Sequence, residues 1–197
     1  MNVIVLNKKH SDILEAAKKL FWKYGYKRVS IEEICREAKT SKVTFYKFYP
    51  NKIELAKKII DQIVENSMKD LKYLVENAVS THELLGALIK AKKEGVHEIS
   101  KEFVSDFYTD NSLGLREYIL LRINEVTNET IVSLKHLQKR GLIRSDLNIP
   151  FFLHFAKKMD GFMDDPYLLS LFPNPEDLVM EITNLLTYGM APRNNQQ

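Results

Sequence analysis

Apolar side chains in this 197-residue chain return at intervals of three and four along nearly its whole length, and only seven glycines and six prolines interrupt them. Such intervals put side chains on one face of a 3.6-residue helix; a half-buried strand needs strict alternation, and no stretch provides it. Glycine and proline are the main local breaks in regular structure, so their scarcity predicts long uninterrupted elements. The pattern predicts an all-α chain. With 45% hydrophobic and 28% charged residues, there is enough apolar side chain to fill a core, which excludes disorder over the whole length. No apolar run approaches the ~18 residues of a membrane span. Met1–Leu6 is too short, and lacks the leading basic residues, for a secretion signal. The expectation is a cytoplasmic protein with no membrane partner. The lone cysteine, Cys35, excludes a disulfide framework and a cysteine-based zinc site; it falls on the inner face of a short helix and reads as a packed thiol.

The net charge of +3 conceals an asymmetry. Residues 1–60 carry 14 Lys/Arg against 6 Asp/Glu, a balance of +8, and residues 61–197 carry 15 against 20, a balance of −5. A basic first third suits contact with a polyanion, and an acidic remainder does not.

Local signals divide the chain further. A first helix is expected from about Lys8 to Tyr24, with Ile13, Ala16, Ala17, Leu20, Phe21 and Tyr24 as its buried stripe and Gly25 as its stop. Ser30 with Glu33 forms a capping box, and Val29 with Ile34 a hydrophobic staple, opening a short helix that ends near Ala38. After the three-residue connection Ala38-Lys39-Thr40, another short helix is expected from Ser41 to Phe48, ended by Pro50. Asn51 and Glu54 then cap a long helix to about Ala78. Further helices are expected from Ser80 to about Ser100, near Lys101–Tyr108, from Asn111-Ser112 to Arg140-Gly141, from Ile149 to Asp164, where Pro166 breaks the run, and from Pro175 to Gly189.

Two short helices joined by three residues, held by a helix before and a helix after, form a helix-turn-helix. In that geometry the first helix crosses the DNA backbone and the second enters the major groove. The second carries donors and cations at Ser41, Lys42, Thr44, Tyr46 and Lys47, with Thr40 just before it; Phe45 and Phe48 read as buried anchors.

The stretches ILEAAKKLFWKYGYKRVSIEEICREA (Ile13–Ala38) and TSKVTFYKFYPNKIEL (Thr40–Leu55) resemble the DNA-binding domain of TetR-type transcriptional regulators. The resemblance covers about the first third; the remainder matches only in length, helicity and helix order. It implies an N-terminal three-helix helix-turn-helix domain joined by a long fourth helix to a helical ligand-binding and dimerisation domain. The implied bounds are 7–67 for the DNA-binding domain (motif about 30–49), 68–190 for the second domain and 191–197 for a frayed tail. It further implies Ser30 as a helix cap near phosphate, Lys42, Val43 and Thr44 at or beside base-reading positions with Thr40 just before them, and Tyr46 and Lys52 toward backbone phosphate; Lys47 reads equally as a solvated lysine or a phosphate ligand, and Tyr46 also as a core aromatic. Lys39 stands where most members have glycine, Thr40 where they have an apolar residue, Val43 where glycine is frequent and Phe48 where histidine is common. Those departures bear on the operator sequence, not on the scaffold.

The same resemblance implies a homodimer built on the last two long helices, here through Phe151, Phe152, Phe155, Phe162, Leu178, Ile182, Leu185 and Leu186. It also implies a small-molecule pocket, for which Phe103, Phe107, Tyr108, Tyr118, Phe155 and Met159 are candidates beside their plainer reading as core. A dimer presents two recognition helices to adjacent grooves and so predicts a palindromic double-stranded operator. Catalysis has no constellation to rest on. The five histidines (His10, His82, His97, His136, His154) include no i, i+4 pair, and there is no HExxH, GxSxG or glycine-rich phosphate loop. The reading is therefore no enzyme, no metal and no cofactor, but a ligand-responsive transcriptional regulator, most simply a repressor. The alternatives are an activator, a regulator answering to a protein, and a helical interaction protein that leaves DNA alone.

Overall fold

Ile13, Ala17 and Phe21 are fully buried, one helical turn apart along the first helix, α1 (Val3–Tyr24). The computed structural model describes residues 3–109 and 113–193. They are 78% helical, and no strand occurs among them. Two units form. One comprises Met1–Val64 with Glu98–Leu121, the other Glu65–His97 with Arg122–Gln197.

In the first unit α1 ends at Gly25, where φ is +78° and a Cβ would come within 2.7 Å of an Asp106 carboxylate oxygen and 2.9 Å of Glu102 Cβ. Glycine is thus required by conformation and by space together. The next helices are α2 (Ile31–Glu37) and α3 (Lys42–Phe48). Ser30 caps α2 as the sequence predicts: its hydroxyl oxygen accepts the Glu33 N–H at 3.2 Å, and Glu33 Oε2 accepts the Ser30 N–H at 2.8 Å. The fourth helix, α4 (Lys52–Asn77), starts where Asn51 Oδ1 accepts the Glu54 N–H, and its turns bury Leu55, Ala56, Ile59 and Ile60.

The helix α5 (Thr81–Val96) stops short of the expected Ser100. Glu98 takes φ +61°, and the Ser100 N–H turns to the Trp22 carbonyl at 2.9 Å. Ser100 then caps α6 (Lys101–Val104), which runs on as a π-helical turn, Ser105–Thr109. This segment closes the first unit with an aromatic cluster. Trp22 meets Phe103 at 4.5 Å between ring centroids, Phe103 stacks on Phe107 at 4.6 Å, and Phe107 reaches Tyr26 edge-on at 6.3 Å. The Asn111-Ser112 start expected for the next helix lies outside the described residues; α7 spans Leu115–Lys139.

In the second unit Val75, Leu84, Leu134, Leu137, Ile143 and Ile149 share one core with Met190. The carbonyls left open at the end of α4 are met by Arg140, whose guanidinium donates to Val75 O and, at 2.6 Å, to Ala78 O. Asn148 caps α8 (Ile149–Lys158), which tightens into a 3-10 helix over Met159–Asp164. Pro166 does more than break the run. It is the first residue of a short helix, α9 (Pro166–Ser170), capped by the Asp165 carboxylate. The last helix, α10 (Pro175–Gly189), begins at the predicted Asn174, packs on α5, and places Asp177 Oδ2 3.2 Å from the Asn174 N–H.

Candidate nucleic-acid interface

The turn between α2 and α3 forms because its open groups find partners in a fixed pattern. Lys39 adopts φ +48°, its N–H donates to Arg36 O at 3.2 Å, and the Thr40 N–H donates to Cys35 O at 2.9 Å. That is a Schellman ending, ordinarily built on glycine. Lysine stands there with its carbonyl held by Lys9 Nζ at 2.9 Å. Ser41 then caps α3, accepting the Thr44 N–H at 3.1 Å.

The helix α3 separates its faces sharply. Inward, Phe45 is fully buried and Tyr49, just past the end, is nearly so; the Tyr49 hydroxyl lies 2.8 Å from His10 Nε2 of α1. Phe48 meets the same imidazole edge-on at 5.3 Å. Burial, and secondarily the charge of Lys58, holds the His10 pKa below its usual value. Outward, Val43 is 69% and Tyr46 54% exposed, flanked by exposed Lys42 and Lys47. An exposed valine and tyrosine on a seven-residue helix are not there to build the core of this unit.

The expected contact residues divide. Lys42, Val43, Tyr46 and Lys47 share the outward face, with half-buried Thr44 bonded to Ser41 at its edge. Thr40 is half-buried in the turn. Ser30 lies apart, its hydroxyl engaged by Glu33. Lys52 is half-buried and directs its Nζ to the Tyr26 and Val29 carbonyls, 2.7 Å from each. Two features were not foreseen. Lys42 pairs with the Glu32 carboxylate of α2, and this contact raises the lysine pKa and lowers that of the glutamate. The turn between α1 and α2 exposes Lys27 and Arg28. The basic dipeptide was visible in the sequence; the Glu32 pairing depends on how two helices cross. Cys35 is 5% exposed and burial raises its thiol pKa, the opposite of a reactive thiolate.

The remaining candidates are scattered over both units. Phe103 and Phe107 belong to the aromatic cluster of the first unit, and the Tyr118 hydroxyl there donates to Asp61 at 2.8 Å. The Tyr108 side chain lies outside the described residues. In the second unit Phe155 stacks on Phe151 at 6.1 Å, both exposed, and Met159 is half-buried. Phe162 and Leu185 are exposed, Ile182 and Leu186 half-buried, Phe152 packs on the core and Leu178 is 3% exposed. No group of three metal-binding side chains occurs among the described residues, and no helix there is long and apolar enough to cross a membrane.

A seven-residue helix with a buried anchor, presented by a capped turn and flanked by α1 and α4, defines a helix-turn-helix DNA-binding protein. Residues 13–59 match the family described as bacterial regulatory proteins, tetR family. The HTH-type transcriptional regulator YdgC of Bacillus subtilis (strain 168) is 21% identical over 188 residues, covering 93% of each chain. Regulatory protein TetR from Rhodobacter sphaeroides superposes with a TM-score of 0.67 at 16% identity, over 92% of this chain and 98% of that one. FadR from Bacillus subtilis, solved in complex with stearoyl-CoA, superposes with a TM-score of 0.62 at 16% identity, over 91% and 98%. Residues 13–59 thus carry the tetR-family DNA-binding domain, and over most of its length the chain is similar to HTH-type transcriptional regulators.

Proposed function

We propose that the chain acts as a homodimeric repressor that a small molecule releases from a palindromic operator. The outward face of α3 carries this reading, because it offers a cation, a hydroxyl and an apolar group to base edges while Phe45 anchors it behind. Lys42, Val43 and Thr44 read bases, and Tyr46 and Lys47 meet phosphate, with Thr40 and Ser30 at the margin.

One such helix reads few base pairs; two copies about 34–36 Å apart read a palindrome. The exposed Phe151–Phe155 stack, Phe162 and Leu185 supply apolar surface for a second copy, with half-buried Ile182 and Leu186 beside them. The functional division runs at 67/68, with 191–197 as a tail. The stearoyl-CoA bound by the Bacillus subtilis neighbour supports a small-molecule effector. Phe155 and Met159 of the second unit are candidates for its contacts, whereas Phe103 and Phe107 are already engaged with Trp22 and Tyr26. An effector coupling of about 1–3 kcal/mol changes operator affinity roughly 5–150-fold. Binding, not catalysis, is the activity.

The test is a gel shift with the protein's own upstream DNA. A retarded complex that dissolves with rising salt and resists random competitor supports the reading. Absence of any complex in dilute buffer rejects it. Lys42→Ala should weaken binding and relax base preference at one position of each half-site.

A further inference from the structure

Three carbonyl oxygens of the turn between α1 and α2 converge on one ammonium group. Lys52 Nζ lies 2.7 Å from Tyr26 O, 2.7 Å from Val29 O and 3.4 Å from Lys27 O, and 4.2 Å from the centre of the Tyr26 ring. An ammonium has three protons, and three carbonyls around it leave none aimed at solution. The same turn is also held by a carboxylate: Asp106, 6% exposed, accepts the Lys27 N–H at 2.8 Å. Gly25 opens the turn, and any side chain there would strike Asp106. A cation and an anion, reached from distant points in the chain, thus hold the turn at Tyr26, Lys27 and Val29.

What the turn presents is basic. Lys27 and Arg28 are both exposed, and the Arg28 guanidinium lies 4.5 Å over the Tyr24 ring, which orients it. Its carboxylate neighbour, Glu33, is a distant 4.0 Å away and is bound to Ser30 through its other oxygen. The adjacent Glu32 pairs with Lys42. Arg28 and Lys42 therefore flank the same first turn of α2, one on the approach from α1 and the other at the start of the recognition helix.

We infer that Lys52 is a positioning residue for DNA binding, holding the turn between α1 and α2 so that Lys27 and Arg28 grip backbone phosphate beside the recognition helix. The inference rests on the reading of α3 as that helix. Phosphate contacts fix register without reading sequence, and a planar guanidinium braced on a tyrosine ring is suited to the task. Burial lowers the Lys52 pKa, and the charges of Asp106 and Glu33 oppose that shift.

The experiment labels amines on the wild-type protein, free and bound to a duplex enriched from a random pool, and reads each lysine by mass spectrometry. Lys52 should label slowly in both states, while Lys27 and Lys42 label faster in the free protein and are protected by DNA. Lys52 labelling readily in the free protein and protected on DNA overturns the assignment. A second arm measures affinity against salt for Lys27→Ala/Arg28→Ala, with and without Lys52→Met. Losing two phosphate contacts should flatten the log–log slope by about two, and Lys52→Met should flatten it no further in that background. An added loss of about one, or a wild-type slope in the double variant, overturns the proposal. Should Lys52→Met fail to fold, the labelling arm decides. A wild-type protein that binds no duplex rejects the recognition-helix reading itself, a result distinct from DNA protecting Lys52.

Discussion

Lys42 Nζ is paired with the Glu32 carboxylate across the two helices of the helix-turn-helix. If Lys42 reads a base, as proposed, it must leave this partner first. Both side chains are more than half exposed, so the pair is worth little to stability. Its effect falls on binding, where a carboxylate beside the groove also repels phosphate. Glu32→Gln should therefore tighten DNA binding a few-fold, more for random than for selected duplex. Unchanged affinity for both by fluorescence anisotropy would show that the pair opens at no cost.

Lys39 holds a left-handed conformation at φ +48° that glycine adopts freely. The strain of a side chain there is roughly 1–2 kcal/mol, offset in part by the greater flexibility of unfolded glycine. Lys39→Gly should raise stability by about 0.5–1 kcal/mol, read as a higher urea midpoint at unchanged slope. A lower midpoint would mean that the side chain contributes more than its backbone costs.

Gly25→Ala should do the reverse. The added methyl meets both an unfavourable φ and the Asp106 carboxylate. The expected loss is about 2–4 kcal/mol in chemical denaturation. Gly86→Ala in mid-α5, where a Cβ meets nothing within 4 Å, is the matched control and should be neutral or stabilising.

His10 gives a pH dependence with a definite sign. Its folded pKa lies below the unfolded 6.5, so the unfolded chain takes up the proton first as pH falls. The associated stability is whole above pH 6.5 and is lost on acidification, fully once pH is below the folded value. His10→Gln should reduce the slope of stability against pH just below neutrality. The same slope in the variant would assign it to other groups.

Phe155 is 44% exposed and stacked on Phe151. If that surface joins two copies, Phe155→Lys should weaken the dimer by ~2 kcal/mol or more, about thirtyfold in Kd. Sedimentation equilibrium reads this directly. A wild-type monomer, or a variant dimer of full strength, removes this face from the interface.

What was legible in the sequence was local. Ser30 with Glu33, Asn51 with Glu54, and Asn174 before Pro175 each announce a helix start within four residues, and each start stands within a residue of its signal. Phe45 is buried as its reading as an anchor expects, while the exposure of Val43 and Tyr46 agrees with the family resemblance and not with any periodicity. The misjudged places depend on partners far away in the chain. A helix running on to Ser100 satisfies the apolar pattern, but the Ser100 N–H finds Trp22 O instead. Lys52 follows the family motif in one dimension, while its ammonium meets a turn more than twenty residues earlier. No spacing rule sees that meeting.

The only tryptophan, Trp22, is 9% exposed and packed on Phe103, wholly within the first unit. The protein thus carries an intrinsic optical probe for one half of itself. Indole emission during urea denaturation follows the first unit, while far-ultraviolet ellipticity follows every helix, so the separation of the two curves measures whether the two units melt together.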